Sequence, residues 1–240
     1  MSVARTSYLI VGNGRLALHF RHYFQSLSIP FESWWRNSGT PLPELLKRHS
    51  KILVLISDDA IEPFIKDHGH LAPQAQWIHC SGSLETPLAE GAHPLMTFGD
   101  QPYDLVTYRS IPFVTTRGRR CFNELFPALP NPSRIISAEK KAHYHAWASM
   151  AGNFTSILWS AYFKRLEQEF QINSHFAKPY MQQVFNNLHS DNDPVTGPLA
   201  RGDMRTIEKH LDSLEHDSFR QIYAAFSDVF TQERRLEVGS

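Results

Sequence analysis

Lys141, His145, Ser149 and Asn153 recur at intervals of four in a stretch that holds no proline. A step of four overshoots one helical turn by about 40°, so on a helix the four side chains form one slowly winding polar stripe. Ala142, Ala146, Trp147, Met150, Ala151 and Phe154 fill the remaining faces. The residue types suit acid catalysis at an oxygen. An ammonium or imidazolium gives up a proton, and an amide orients the group that takes it. A solvated face would account for Lys141 equally well, but less well for Asn153. Polar groups on a largely apolar helix need partners, and a substrate cleft would supply them.

A second constellation stands more than a hundred residues earlier. In "YLIVGNGRLALHF" an apolar run breaks at Gly12-Asn13-Gly14 and resumes with a helical period. Gly12-Asn13-Gly14-Arg15-Leu16-Ala17 fits G-x-G-x-x-A between a strand and a helix. The first glycine permits the tight turn, the second lets backbone approach a pyrophosphate, and Ala17 lets helix and strand pack closely. The free N–H groups of the first helical turn would then hold phosphate. The turn therefore predicts dinucleotide binding through Gly12, Gly14, Arg15 and Leu16. A strand–helix turn without a ligand is the competing expectation.

The end of the second strand selects the dinucleotide. An acid there binds a ribose 2′-hydroxyl, and an arginine favours a 2′-phosphate. Glu32 has the required spacing from Gly12, but Pro30 starts the strand and leaves Glu32 near the wrong end. The carboxyl end reads Arg36-Asn37-Ser38, a cation followed by two hydrogen-bonding side chains. NADP is thus expected in preference to NAD.

Ligands of open α/β sheets sit beyond the carboxyl ends of the strands. "ISDDAIEP" places Ser57 and Asp58 there, "HCSGSL" places Ser81 and Gly82, and "GAHPLMTF" places His93 against a substrate or in a rigid turn. Cys80 reads as a buried strand residue, not a nucleophile. In "PVTGPLARGD", Arg201 and a helix starting near Asp203 are expected to hold a carboxylate, unless Asp203 simply caps that helix.

Elements that position these residues emerge from periodicity. Tyr8–Val11, Phe31–Trp35, Lys51–Ile56, Gln76–Cys80 and Ile111–Thr116 read as strands, and Leu16–Leu27, Leu42–Arg48 and Ala60–Lys66 as helices. The alternation predicts a parallel sheet with helices on both sides. "PALPNPSR", 127–134, reads as a linker. Ser137 to about Ile172 reads as one long helix, buried over much of its length, and further helices lie near His175–Leu188, Asp203–Ser213 and Ser218–Thr231. The expected organisation is a Rossmann-type α/β domain over 1–132 and an all-helical domain over 133–240.

Composition narrows the class. The 240 residues are 42% hydrophobic and 20% charged, with Lys+Arg and Asp+Glu both 24. Zero net charge argues against a nucleic-acid partner. Apolar runs fall short of a membrane span, and the amino terminus lacks the long apolar stretch of a signal peptide. Two cysteines among 240 residues point to a reducing cytoplasm. The 13 histidines include His143 and His145, but residues two apart on a helix diverge by about 200° and cannot clamp one ion. No metal is expected.

Taken together, several stretches resemble short Rossmann-type reductases of the 6-phosphogluconate-dehydrogenase-like superfamily. They are Gly12 to Ala17, His79-Cys-Ser-Gly82, Gly91 to Phe98, Tyr144-His145 with Asn153, and Thr196 to Asp203. The superfamily includes ketopantoate reductase, prephenate dehydrogenase, pyrroline-carboxylate reductase and hydroxyisobutyrate dehydrogenase. The resemblance implies NADPH-dependent reduction of a 2-keto acid, foremost 2-dehydropantoate to pantoate in pantothenate and coenzyme A biosynthesis. A cyclic imine or prephenate-like substrate, or a non-catalytic NADP sensor, are the alternatives. In the superfamily a helix lysine protonates the substrate oxygen and an asparagine four residues on orients it. Lys141 matches the lysine, but His145 stands where the asparagine would be, so either is the expected proton donor. Asn153 would orient the oxygen, and His93, Ser149, Thr196 and Arg201 would bind substrate. A homodimer is expected by the same analogy.

Overall fold

The computed structural model describes residues 7–190 and 194–238. They form two compact units, one ending at Leu158 and one starting at Trp159.

The first unit runs β1 (Tyr8–Val11), α1 (Arg15–Ser26), β2 (Phe31–Trp34), α2 (Leu42–Arg48), β3 (Lys51–Val54), α3 (Asp58–His68), β4 (Gln76–His79), β5 (Glu90–Gly91) and β6 (His93–Pro94). It continues through α4 (Leu105–Ser110), β7 (Phe113–Thr116), α5 (Phe122–Leu125), β8 (Ser133–Ile136) and α6 (Lys141–Ser149). Five strands make a parallel sheet in the order β2-β1-β3-β4-β5. Successive strand side chains point to opposite faces, and the two faces have separate cores. Tyr8, Ile10, Leu53 and Ile78 pack with α1, α4 and α5 on one side. Leu9, Val11, Ile52, Val54 and Trp77 pack with α2 and α3 on the other. Burial on both faces is why these strands read as unbroken apolar runs. The strand order reverses between β1 and β3, which opens the switch-point crevice at their carboxyl ends.

Two expectations about the first unit need correction. The strand at 111–116 is not part of the parallel sheet: β7 pairs antiparallel with β6 and parallel with β8 in a separate three-stranded sheet. The 127–134 segment is not a free linker either. The buried Asn131 side chain donates to the carbonyls of Tyr108 and Ile111 and accepts from the Tyr23 hydroxyl at 2.7 Å, and β8 begins at Ser133. Its prolines end α5 and deliver a strand, so the chain divides inside the later helix instead of at 132.

That helix is also interrupted. A 3-10 turn, Ala138–Lys140, leads into α6, an i→i+5 turn spans Met150–Phe154, and α7 (Thr155–Gln168) comes next. The expectation of extensive burial fails too. Among its described residues only Lys141 and Leu166 are buried, while Trp147, Phe154 and Ile157 are at least half exposed. Aromatic and alanine content raised that expectation, but apolarity does not say what covers a helix.

From Trp159 on, the unit is helical: the rest of α7, α8 (Lys178–Asn187), α9 (Gly197–Arg201), α10 (Met204–Ser213) and α11 (Arg220–Val238). Arg165 on α7 grips Asp217 with two hydrogen bonds of 2.8 Å and stacks 4.8 Å from the Phe219 ring, tying α7 to the turn before α11. Among the described residues no helix is long and apolar enough to cross a membrane.

Candidate active site

The glycine turn is built as its sequence implies. Gly12 has φ +128°, a conformation open to glycine, and a Cβ there would overlap the Leu55 carbonyl. Ala17 is fully buried where α1 meets the sheet. α1 starts after Gly14 with no side-chain cap and no acid in its first turn, so its leading N–H groups remain available to an anion. Arg21 braces the turn from within α1 by donating to the Gly12 carbonyl at 3.2 Å and the Asn13 side chain at 3.0 Å. Arg15 is exposed and pairs with Asp100 at 2.7 Å.

Two cavities run along the carboxyl edge from this turn. One, of about 580 Å³, is lined by Gly12, Trp35, Arg36, Ser57, Phe64 and His68. The other, of about 420 Å³, is lined by Gly14, Arg15, Leu16, Ser57, Asp58 and Ser81. They share Asn13, Ile56 and Ser57, so they form one elongated groove at the switch point. Arg36 projects from the turn after β2, where the Ser38 N–H closes on the Trp35 carbonyl. Asn37 is exposed at this turn, and the Ser38 hydroxyl is buried without a partner among the described residues. Glu32 is engaged lower on β2 by Arg48 at 2.9 Å, as its position near the strand start required.

Beyond the groove, polar side chains converge on the loops after β4 and β5. The Ser81 hydroxyl donates to Asp58 and accepts from the Leu84 N–H at 2.9 Å, which pins the 81–84 loop. Lys141 is buried, pairs with Glu85 at 2.7 Å and donates to the Leu84 carbonyl. Thr116 on β7 donates to the same carboxylate at 2.8 Å. This clasp fastens the start of α6 onto the sheet unit, and one turn later His145 lies against Gly82, where a Cβ would overlap its ring. His93 Nδ1 lies 3.0 Å from the Tyr144 hydroxyl, and the His93 and His145 rings meet edge to face with centroids 5.3 Å apart. Gly91 leaves room for the Lys141 ammonium and the His79 ring.

Electrostatics derive from this packing. Burial first, and then the nearby Lys141 charge, push His79 down to about 4. Burial, then His145 and Lys141, push His93 down to about 4 as well. Burial opposes ionisation of Glu85, but hydrogen bonds from Lys141 and Thr116 outweigh it and hold the carboxyl below its usual range. Burial raises the Cys80 thiol, which leaves it inert as a nucleophile.

Both histidines are neutral in the fold at a pH where the unfolded chain has begun to protonate them. An unfolded histidine titrates near about 6.5. The unfolded state therefore binds more protons between about 6.5 and 4, and stability falls as pH falls through that window. Each histidine contributes a slope of at most about 1.4 kcal/mol per pH unit. Denaturant melts at pH 7, 5.5 and 4.5 should show that loss, reduced in His79→Gln. Equal loss in wild type and variant would contradict it.

The structure thus brings Lys141, His145, His93 and Ser81 together. It does not do so for the rest of the helix stripe. Ser149 ends α6, and Asn153 is exposed inside the i→i+5 turn. The extra residue of that turn rotates the succeeding helix by about 100° relative to a continuous α-helix, so spacing by four fails there. Thr196 precedes α9 and Arg201 ends it, both exposed in the helical unit. The start of α10 does not offer a free anion site, because Asp203 itself accepts from the Thr206 N–H and hydroxyl. Glu85 and Tyr144 had no assigned role from sequence. Glu85 is a single charge in a loop with no periodic signal, and Tyr144 stood beside His145 with no sign of a partner 51 residues away.

A parallel five-stranded sheet, a glycine turn at its switch point and a helical carboxyl-terminal portion define a Rossmann-type fold. Residues 114–229, just under half of the chain, match the family model DUF2520, described as a domain of unknown function. No curated protein sequence matches this chain. Among solved structures, a candidate NADP oxidoreductase from Bacteroides fragilis is similar at TM-score 0.77 and 16% identity, covering 96% of this chain and 100% of that one. An imine reductase from Myxococcus stipitatus, in complex with NADP+, is similar at TM-score 0.63 and 12% identity, with 96% and 94% covered. Pyrroline carboxylate reductase from Plasmodium falciparum, with NADP bound, is similar at TM-score 0.57 and 10% identity, with 95% and 96% covered.

Proposed function

We propose that this protein is an NADP-dependent oxidoreductase that reduces a C=O or C=N bond of a small molecule, with 2-dehydropantoate the first 2-keto acid to test. One observation carries the reading: the switch-point groove runs from Arg36 past the glycine turn to Ser81, and the histidine–lysine cluster begins where it ends. Arg36 would meet a 2′-phosphate, the α1 N-terminus would hold the pyrophosphate, and Ser57 and Ser81 would line the path between. NADPH, when bound, supplies the hydride.

The chain's own residues supply the proton and the orientation. Lys141 is buried and already engaged by Glu85 and the Leu84 carbonyl, so we assign it to positioning. His145 is half-buried beside His93 and is the better proton donor. Positioned acid catalysis of this kind is worth about 10²–10⁴-fold. Lys141→Met with His145→Ala is expected to abolish turnover while NADPH still raises the melting temperature. Unchanged turnover in a screen of 2-keto acids would sink the assignment, and a larger thermal shift with NADH than with NADPH would sink the role of Arg36.

A cyclic imine or a prephenate-like acid is the alternative substrate. A panel of 2-keto acids and cyclic imines separates these substrates, and tight NADPH binding with no turnover would support a sensor. Within the helical unit, the exposed Phe176, Tyr180 and Phe226 support a homodimer, in which a second copy would cover apolar side chains that water otherwise meets. Sedimentation equilibrium showing only monomer would contradict this.

A further inference from the structure

We propose that Tyr144 is a positioning residue that sets the tautomer of His93, leaving Nδ1 bare and Nε2 protonated as the donor that His93 offers to a substrate atom. The inference deepens the reductase reading and rests on it. Its geometric basis is the 3.0 Å contact between the Tyr144 hydroxyl and His93 Nδ1, with the two rings edge to face at 5.7 Å. The partners come from elements fixed independently. His93 sits on β6, paired with Val114 of β7. Tyr144 sits on α6, three residues after the buried Lys141 anchor. Neither side chain reaches the other through local sequence, so the contact belongs to the tertiary assembly of this site.

A neutral imidazole has one N–H and one bare nitrogen, and the partner of one nitrogen decides what the other can do. Burial lowers His93 and raises the Tyr144 phenol, so at neutral pH the ring is uncharged and the hydroxyl keeps its proton. A protonated phenol facing a neutral ring donates most simply to a bare nitrogen. Nδ1 then accepts, and the single ring proton stands on Nε2. A fixed neutral donor can stabilise charge that develops on a substrate oxygen or nitrogen without itself becoming an acid. The proton is left to the neighbouring His145, whose ring meets that of His93 edge to face. The two histidines thus divide the work: one orients and polarises, the other transfers a proton.

The test reads the tautomer directly and the chemistry separately. Nitrogen-15 NMR of the histidine-labelled full chain, without cofactor or substrate, should show His93 with bare Nδ1 and protonated Nε2. Tyr144→Phe should turn this into a mixture of tautomers, and should lower kcat about tenfold or more while KM for NADPH stays unchanged. His93→Gln, which keeps an amide N–H near the Nε2 position, should retain more activity than His93→Asn, which keeps one near Nδ1. A wild-type ring protonated on Nδ1, an unaltered tautomer in Tyr144→Phe, or equal activity of the two His93 variants would overturn the proposal. Absence of turnover with every substrate would overturn the reductase reading, and the NMR measurement would still decide the tautomer.

Discussion

Replacing Gly12 with alanine is expected to abolish dinucleotide binding and to cost about 3 kcal/mol or more of stability. Two effects add. The residue holds φ +128°, where any Cβ is strained, and the Cβ would overlap the Leu55 carbonyl. That obstacle is backbone of the adjoining chain, anchored by the Leu55 N–H to the Val11 carbonyl at 2.7 Å, so it cannot swing aside as a side chain would. Relief requires the turn to move away from β3, and the turn carries the α1 N-terminus and Arg21 with it. Gly14 is a control. It has an ordinary extended φ of −77° and open space where a Cβ would stand, so Gly14→Ala should fold normally and lose affinity only. Urea unfolding with and without NADPH reads both. If Gly12→Ala kept wild-type stability and a wild-type NADPH shift, the turn would not be what holds the ligand.

The Glu85–Lys141 pair should respond unequally to removal of its two members. Glu85→Ala strands a buried ammonium with the Leu84 carbonyl as its remaining acceptor. Losing one partner of a buried pair costs about 3–5 kcal/mol, and the partial exposure of Glu85 places this case near about 3 kcal/mol. Lys141→Met removes the buried charge and keeps the volume, leaving a carboxylate that Thr116 and water can satisfy. It should cost about 1 kcal/mol, and adding it to Glu85→Ala should recover much of that variant's loss. Acid acts like the first substitution. The folded Glu85 carboxyl titrates below its unfolded value, so the pair's contribution is complete above the ordinary glutamate range and disappears as pH falls through the folded value. Chemical unfolding of the three variants checks the order. A Lys141→Met loss equal to that of Glu85→Ala would mean that the clasp is not a buried pair in solution.

Legibility was uneven across the chain. The central strands were readable because burial on both faces demands unbroken apolar runs, as in Lys51–Val54. The glycine turn was readable because its geometry admits few residue types. β5 and β6, of two residues each, carry no period to detect, although β6 places His93. The helix stripe was half readable. Lys141 and His145 lie one turn apart on α6, but the i→i+5 turn at Met150–Phe154 removed Asn153 from their line, and nothing in "MAGNF" announces it.

Sequence by itself determined the alternation of strand and helix and the glycine turn at Gly12, because each depends on local periodicity or on one residue's backbone freedom. Only the tertiary structure decided which polar groups meet. Glu85 found Lys141 across 56 positions, Tyr144 found His93 across 51, and His145 came to rest on Gly82. Those encounters depend on how the loops after β4 and β5 close against α6, which is set by packing between segments distant in the chain and leaves no repeat in the residues themselves.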